Sequence, residues 1–202
     1  RYVDAEGQTL SEEHGEKSVF KEGDEVEIIR GDLVNILLQA IPDVPCHFHK
    51  ETISLTQKDQ FVEVTFKDGL IERYDLVIAA DGLHSSTRVM TFSDEGRHFF
   101  NLSSYISVFS IPNYLNLNRT KVTFAKDQKI ISVTSDEDPD RAFVCFGFQA
   151  KKVLSGIADE RGQKKFLRDW FYDLGWESNK ILDLMNDSDD LYFDAIAQIK
   201  MD

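Results

Sequence analysis

The sequence predicts a mixed α/β protein, a portion of parallel-sheet type followed by an antiparallel sheet covered by helices. Three observations carry this expectation. The run Leu76-Val77-Ile78-Ala79-Ala80 is apolar on both faces, as a central parallel strand is when helices cover it on either side. Leu33, Ile36, Leu37, Ala40 and Ile41 fall on one face at helical spacing. From about Glu95, short aromatic and β-branched runs recur between turn signals, the pattern of antiparallel sheet, and helical periodicity returns only after Glu160.

Taken in order, residues 1 to 29 read as a hairpin or irregular excursion. Asp4-Ala5-Glu6-Gly7, Gly15 and Gly23-Asp24 punctuate it, and Glu25 to Ile29 alternates towards a strand. A helix is expected over 31–41. Asp32 complements the dipole in its first turn, and Pro42 and Pro45 stop it. An antiparallel excursion over 46–73 follows, with strands at Cys46–Lys50, Thr52–Gln57, Phe61–Lys67 and Leu70–Arg73 and a hairpin turn at Asp68-Gly69. The apolar strand at 76–80 then delivers Asp81-Gly82, and a short helix begins near Ser85. Further strands are expected at Tyr105–Ile111, Lys121–Ala125, Lys129–Thr134 and Ala142–Phe148. Pro112, Asn116, Asp127 and the acidic loop Asp136–Asp140 separate them. Helices at Glu160–Leu174 and Ser178–Asp187, parted by Gly175-Trp176, precede a last strand at Leu191–Ile199.

Composition narrows the function classes. At 202 residues and 42% hydrophobic content, including 15 Phe, the chain has material for a packed core. A net charge of -13 repels phosphate backbones, which argues against nucleic acid as a partner. No apolar run approaches membrane-spanning length, so no membrane partner is expected. Cys46 and Cys145 are expected to be buried reduced thiols, which favours a cytoplasmic setting. The chain opens on Arg1-Tyr2-Val3 without an initiator Met, and is expected to be an internal piece of a longer one.

The informative stretch is Tyr74 to Arg88. A buried parallel strand would deliver a carboxylate, Asp81, and a glycine, Gly82, to its C-terminal end, where open α/β sheets bind ligands. Gly82 permits a tight turn or close approach of backbone to ligand, Ser85 can cap the next helix, and Arg88 with that helix's N-terminus favours a phosphate. Asp81 could hold a ribose or ribityl hydroxyl, or orient Arg88. The alternative is purely structural: Asp81 and Ser85 cap a helix, and Arg88 pairs with Asp81 in a turn. The residues alone leave both readings open.

Asp81-Gly82-x-x-Ser85-x-x-Arg88 resembles the D-G-x-x-S-x-x-R motif of the para-hydroxybenzoate hydroxylase family, the group A flavin-dependent aromatic-ring monooxygenases. Arg30-x-x-Leu33-x-x-x-Leu37 resembles a helical segment of the same family, whose arginine lies against the flavin. Ile106 to Leu117, including Ile111-Pro112-Asn113-Tyr114, is similar to the tetracycline-modifying branch. The resemblance implies a partial FAD- and NAD(P)-binding Rossmann-like domain over 1–92 and a substrate domain over 93–202, whose sheet roofs the flavin. It implies FAD as cofactor, NAD(P)H as co-substrate, molecular oxygen, and hydroxylation of an aromatic or polyketide-like small molecule. Arg30, Asp81 and Arg88 become the expected cofactor contacts, with Gly82 and Ser85 shaping the turn; no catalytic base is assigned. A flavin halogenase or another oxidoreductase on the same scaffold, or a binding module that has lost its flavin, are the alternatives.

Other parts of the family pattern are missing. None of the 11 glycines stands two residues from another, so there is no G-x-G-x-x-G turn for the pyrophosphate. Gly23-Asp24 and Gly31-Asp32 do not match the family's later G-D motif, and Gln198 to Asp202 resembles the segment just before it. The chain alone is therefore expected to bind FAD weakly at most, to catalyse nothing, and to self-associate, as a homodimer or swapped assembly, through uncovered strand edges. Cys46-His47-Phe48-His49 lacks a second ligand cluster, so a structural strand is expected there and no metal. His84 is read as a turn residue and Phe143, Phe146 and Phe148 as core.

Overall fold

The computed structural model describes residues 1–12, 28, 30–92, 99–135, 138–150 and 159–200. The elements in chain order are β1 (Tyr2–Val3), β2 (Thr9–Ser11), α1 (Arg30–Ala40), β3 (Thr52–Gln57), β4 (Val62–Phe66), β5 (Ile71–Tyr74), α2 (Ser86–Thr91), β6 (Phe99–Pro112), β7 (Lys121–Lys126), β8 (Lys129–Thr134), β9 (Arg141–Gln149), α3 (Glu160–Phe171), α4 (Ser178–Asp187) and β10 (Tyr192–Ile199). They form two compact units, Arg1–Lys17 with Phe99–Ile199, and Ser18–His98 with Lys200–Asp202. The expected strand signal at Glu25–Ile29 (Ile28 apart), the turn signals Gly15 and Gly23-Asp24, and Asp136 and Glu137 of the acidic loop lie outside the described residues.

The first unit is a seven-stranded sheet in the order β10-β6-β9-β8-β7-β1-β2. Every pairing is antiparallel except β1 with β7. Strand alternation puts Tyr105, Ser107, Phe109 and Ile111 of β6 opposite Phe148, Phe146, Val144 and Ala142 of β9 on one face. Ile131 and Val133 of β8, then Val122 and Phe124 of β7, continue that face. The helices close over it with Leu167 and Phe171 of α3 and Ile181, Leu182 and Met185 of α4, all fully buried. Phe171 stacks on Phe146 at 4.3 Å between ring centroids, and each such aromatic contributes about 1.5–3 kcal/mol by leaving water.

Side chains satisfy both ends of α3. Asp159 caps α3 by accepting from the Gly162 N–H at 2.7 Å. At its C-terminal end, Lys129 donates to the Trp170 carbonyl at 2.5 Å and Lys126 to the Leu174 carbonyl at 3.1 Å. Both lysines flank the β7–β8 turn, whose Asp127 and Gln128 take φ of 51° and 60°, as a tight two-residue hairpin requires. Two cations are thus brought to the negative end of α3.

The large sheet takes in β1 and β2 as well as β6 to β10. The N-terminal hairpin joins it, with Tyr2 opposite Thr123 and Val3 opposite Phe124, because Val3 is needed to fill the core edge. The hairpin turn docks where Gly175 takes φ +126° and the Trp176 N–H donates to the Ala5 carbonyl at 2.6 Å.

In the second unit, β3-β4-β5 form an antiparallel sheet with Val64 buried, and Asp68-Gly69 makes the β4–β5 turn with Gly69 at φ +87°. Several expectations fail here. Cys46–Lys50 is not a strand, because the chain turns at Phe48-His49 with His49 at φ +59°. Cys46 is exposed rather than buried, and its thiol donates to the Val44 carbonyl at 3.6 Å. Leu76–Ala80 pairs with no strand among the described residues, and Leu76 is 72% exposed and Ile78 80% exposed. A doubly apolar strand needs a neighbour on each edge and a layer on each face, and the described residues of this unit supply neither. The apolar face of α1 is exposed for the same reason, with Ile36 at 54% and Leu37 at 55%.

Candidate functional site

The Asp81–Arg88 turn precedes α2 and is held by two opposed clamps. Ser85, buried, is the N-cap: its Oγ accepts from the Arg88 N–H at 2.9 Å. The Ser85 hydroxyl donates to Asp81 Oδ1 at 2.5 Å, and the Thr87 N–H donates to Oδ2 at 3.0 Å. Both carboxylate oxygens of Asp81 are thereby engaged with the start of the helix. The Ser85 hydroxyl, followed by the Thr87 N–H, pulls the Asp81 carboxyl down to about 2, since each hydrogen bond favours its charged form. The second clamp runs the other way. Arg88 Nη1 donates to the Gly82 carbonyl at 3.2 Å and Nη2 to the Leu83 carbonyl at 2.6 Å.

Between the clamps stands Gly82, exposed, at φ +78°. A Cβ built there would meet nothing within 4 Å, so the space beside this backbone is open. The left-handed conformation accounts for glycine at this position, and the open space permits close approach of a ligand. His84 lies in the same turn and is exposed.

Of the residues singled out in the sequence, Asp81, Gly82, Ser85 and Arg88 are drawn into one hydrogen-bonded turn. Arg30 stands apart from that network, exposed at the head of α1. Sequence reasoning missed Thr87, whose N–H joins the Ser85 hydroxyl in holding Asp81. Its position two residues after an N-cap was the available signal, since that amide lacks a helical partner.

The sheet face turned away from α3 and α4 is the other candidate surface. Ser104, Ile106 and Val108 of β6, Phe143, Cys145 and Gly147 of β9, and Ile130, Ser132 and Thr134 of β8 lie on it. A shallow concavity of about 570 Å³ is lined there by Ser104, Ala125, Gln128, Ile130, Gly147 and Ile196. Burial pushes the Cys145 thiol upward, which keeps it protonated near neutral pH. Phe146 and Phe148 point into the core as expected, while Phe143 lies on this second face and is half-buried. Among the described residues no cluster of His, Cys, Asp and Glu side chains could hold a metal ion. No described helix is long and apolar enough to cross a membrane.

No protein-family model matches the chain. A flavin-dependent monooxygenase from an unknown prokaryotic organism is 57% identical over 201 residues, which is 100% of this chain and 52% of the relative. The crystal structure of tetracycline destructase Tet(55) superposes over the whole chain with a TM-score of 0.89 at 53% identity, again covering 51% of that protein. This chain is a homologue of the flavin-dependent monooxygenases. A second solved structure, tetracycline destructase Tet(51), gives a TM-score of 0.86 at 54% identity over 100% of the chain and 52% of that protein. The homologue spans about half the length of the relatives it matches. The mixed α/β fold read from the sequence is the fold of these monooxygenases.

Proposed function

We propose that the protein carrying this chain is an FAD-dependent monooxygenase that hydroxylates an aromatic or polyketide-like small molecule, with NAD(P)H as reductant and molecular oxygen as oxidant. The observation that carries this reading is the 57% identity to a flavin-dependent monooxygenase, spread over the whole chain. In the balanced reaction one oxygen atom enters the substrate, the other leaves as water, and NAD(P)H gives up two electrons. The similarity to two tetracycline destructases, each over the whole chain, favours a polycyclic substrate of tetracycline type.

The residues of the Asp81–Arg88 turn fit a flavin cofactor. Gly82 offers an exposed, left-handed backbone with open space beside it, which a nucleotide-sized ligand can approach closely. Asp81, Ser85 and Arg88 hold that backbone, and Arg30 supplies a cation at the head of α1. FAD, when bound, carries the electrons from NAD(P)H and activates oxygen. The chain's own tasks are to bind, to orient and to exclude water. The face of the seven-stranded sheet turned from the helices suits the substrate: its concavity has Ala125, Ile130, Gly147 and Ile196 with Ser104 and Gln128 in its lining, and Lys126, Asp127 and Lys129 of the β7–β8 turn add charge. No nucleic-acid partner is proposed, and the site is placed in a cytoplasmic enzyme.

The test is to purify the full-length protein and record its absorbance. A yellow protein with flavin bands, which oxidises NAD(P)H faster when a tetracycline is added and yields a product with one added oxygen atom, supports the reading. A colourless protein that takes up no added FAD refutes it.

A further inference from the structure

We infer that Gly147 is a specificity-determining residue, whose missing side chain keeps a gap in the sheet face turned from the helices and so admits the flat ring system of a polycyclic substrate. The inference rests on the reading of that face as the substrate's. Gly147 stands in the interior of β9, a strand paired on both sides. Glycine weakens a strand, and one that keeps it does so for few reasons: a bulge, the corner of a barrel, or the close approach of a ligand or another backbone. The register runs through Gly147 without a shift, opposite Ile106 of β6 and Ile130 of β8. The sheet is open, so there is no barrel corner to turn. The φ of Gly147 is not positive, so no left-handed backbone calls for glycine. A Cβ built there would meet only Ile130 Cβ, at an ordinary 3.8 Å, so the neighbours do not forbid a side chain. What remains is approach from outside the sheet.

The surroundings fit that approach. One row across the face reads Ile106, Gly147, Ile130 and Ala125. Two strand spacings, about 10 Å, separate Ile106 from Ile130, and the floor between them is backbone. Gly147, Ile130 and Ala125 line the concavity of about 570 Å³, the size of a small-molecule site. A flat ring can lie on such a floor, and a side chain at 147 would lift it off. The rim beside the gap is held in place. Asp127 and Gln128 turn at φ of 51° and 60°, and on either side of them Lys126 and Lys129 are tied to the Leu174 and Trp170 carbonyls. A wall fixed in this way cannot widen to take an added methyl, so a single carbon at 147 decides what fits.

The experiment uses the full-length protein with Gly147→Ala and Gly147→Val. It measures melting temperature, flavin content, and the affinity for a tetracycline and for the flat dye anilinonaphthalene sulfonate by fluorescence titration. Melting temperature should hold or rise, since both replacements suit a strand better than glycine, and flavin content should match wild type. Affinity for the tetracycline and for the dye should fall about ten-fold or more with alanine, and further with valine. A lower melting temperature in Gly147→Ala would show that a segment of the protein itself fills the gap, and would overturn the inference. Tetracycline affinity unchanged in either variant would overturn it as well. If the wild-type protein binds no tetracycline, with or without FAD, the tetracycline reading falls and the dye decides: equal dye affinity in wild type and either variant refutes the gap.

Discussion

Gly175→Ala should destabilise the large-sheet unit far more than an ordinary glycine replacement. Gly175 takes φ +126°, a backbone conformation that an L side chain rarely adopts. Its Cβ would stand 2.9 Å from Ala5 Cβ and 3.1 Å from Phe124 Cζ. The conformational strain costs about 1–3 kcal/mol. Neither neighbour can step aside, because Ala5 sits on the hairpin turn whose carbonyl binds the Trp176 N–H, and Phe124 is buried at 3% exposure. Overpacking of this kind adds about 1–3 kcal/mol. The sum, about 2–6 kcal/mol, is a large part of a domain's net stability. Urea unfolding followed by tryptophan fluorescence reads it directly, since Trp176 is adjacent. With a slope of about 1–3 kcal/mol/M, the midpoint should fall by about 1–3 M. Gly7→Ala is the control: Gly7 sits at φ +83° with its nearest contact, Trp176 Cδ1, at an ordinary 3.4 Å, so only the strain remains. Equal midpoints for the two variants would refute the claim that the hairpin is packed against Gly175.

Three further outcomes follow from the same geometry. Ser107→Ala should leave stability unchanged or raise it, because the Ser107 hydroxyl is fully buried on the core face without a hydrogen-bond partner; a fall in melting temperature would show that a partner exists. Phe171→Ala should cost about 3–5 kcal/mol in the same urea assay, since Phe171 is fully buried against Phe146 and Phe148; a loss under 1 kcal/mol would place α3 elsewhere. Asp81 has a folded-state value depressed to about 2, so its capping contribution is full above about pH 4 and is lost as pH falls towards 2; amide exchange in α2 should rise over that window in wild type, and Asp81→Asn should remove the pH dependence.

The strands of the large sheet and their two helices were legible because pattern and surroundings agree there. α4 occupies the expected Ser178–Asp187, and β7, β8 and β9 lie within a residue of the expected bounds. Their alternation is answered by a real core, with Ile131, Val133 and Val144 wholly buried. The place of the N-terminal hairpin in the large sheet was not legible, because two residues, Tyr2 and Val3, carry its pairing, and no local signal says which distant edge they join. Cys46–Lys50 failed for a different reason. Its alternating polarity suits a strand, but His49 adopts the left-handed region, which a single sequence does not announce in a non-glycine residue. At the candidate site the motif told which residues meet but not how. Arg88 was expected to face phosphate or Asp81; its donation to the Gly82 and Leu83 carbonyls is a contact the motif does not announce.

The contrast between α1 and α4 bears on how the two units come to differ. Both carry apolar residues at helical spacing, yet Ile181, Leu182 and Met185 of α4 are fully buried while Leu33, Ile36 and Leu37 of α1 are 42%, 54% and 55% exposed. Periodicity is a property of the segment; burial is a property of what the segment meets. Covering the α1 residues as fully as those of α4 would stabilise by up to about 1.5–3 kcal/mol for each side chain, less the part already withdrawn from water. The Leu76–Ala80 run makes the same demand at strand-like apolar patterning, with Leu76 and Ile78 at 72% and 80% exposed. Two segments of different period, both apolar where they are uncovered, encode an interface and not a solvent face. The Asp81–Arg88 turn follows directly on the second of them, so a layer over that run would end beside the open backbone at Gly82.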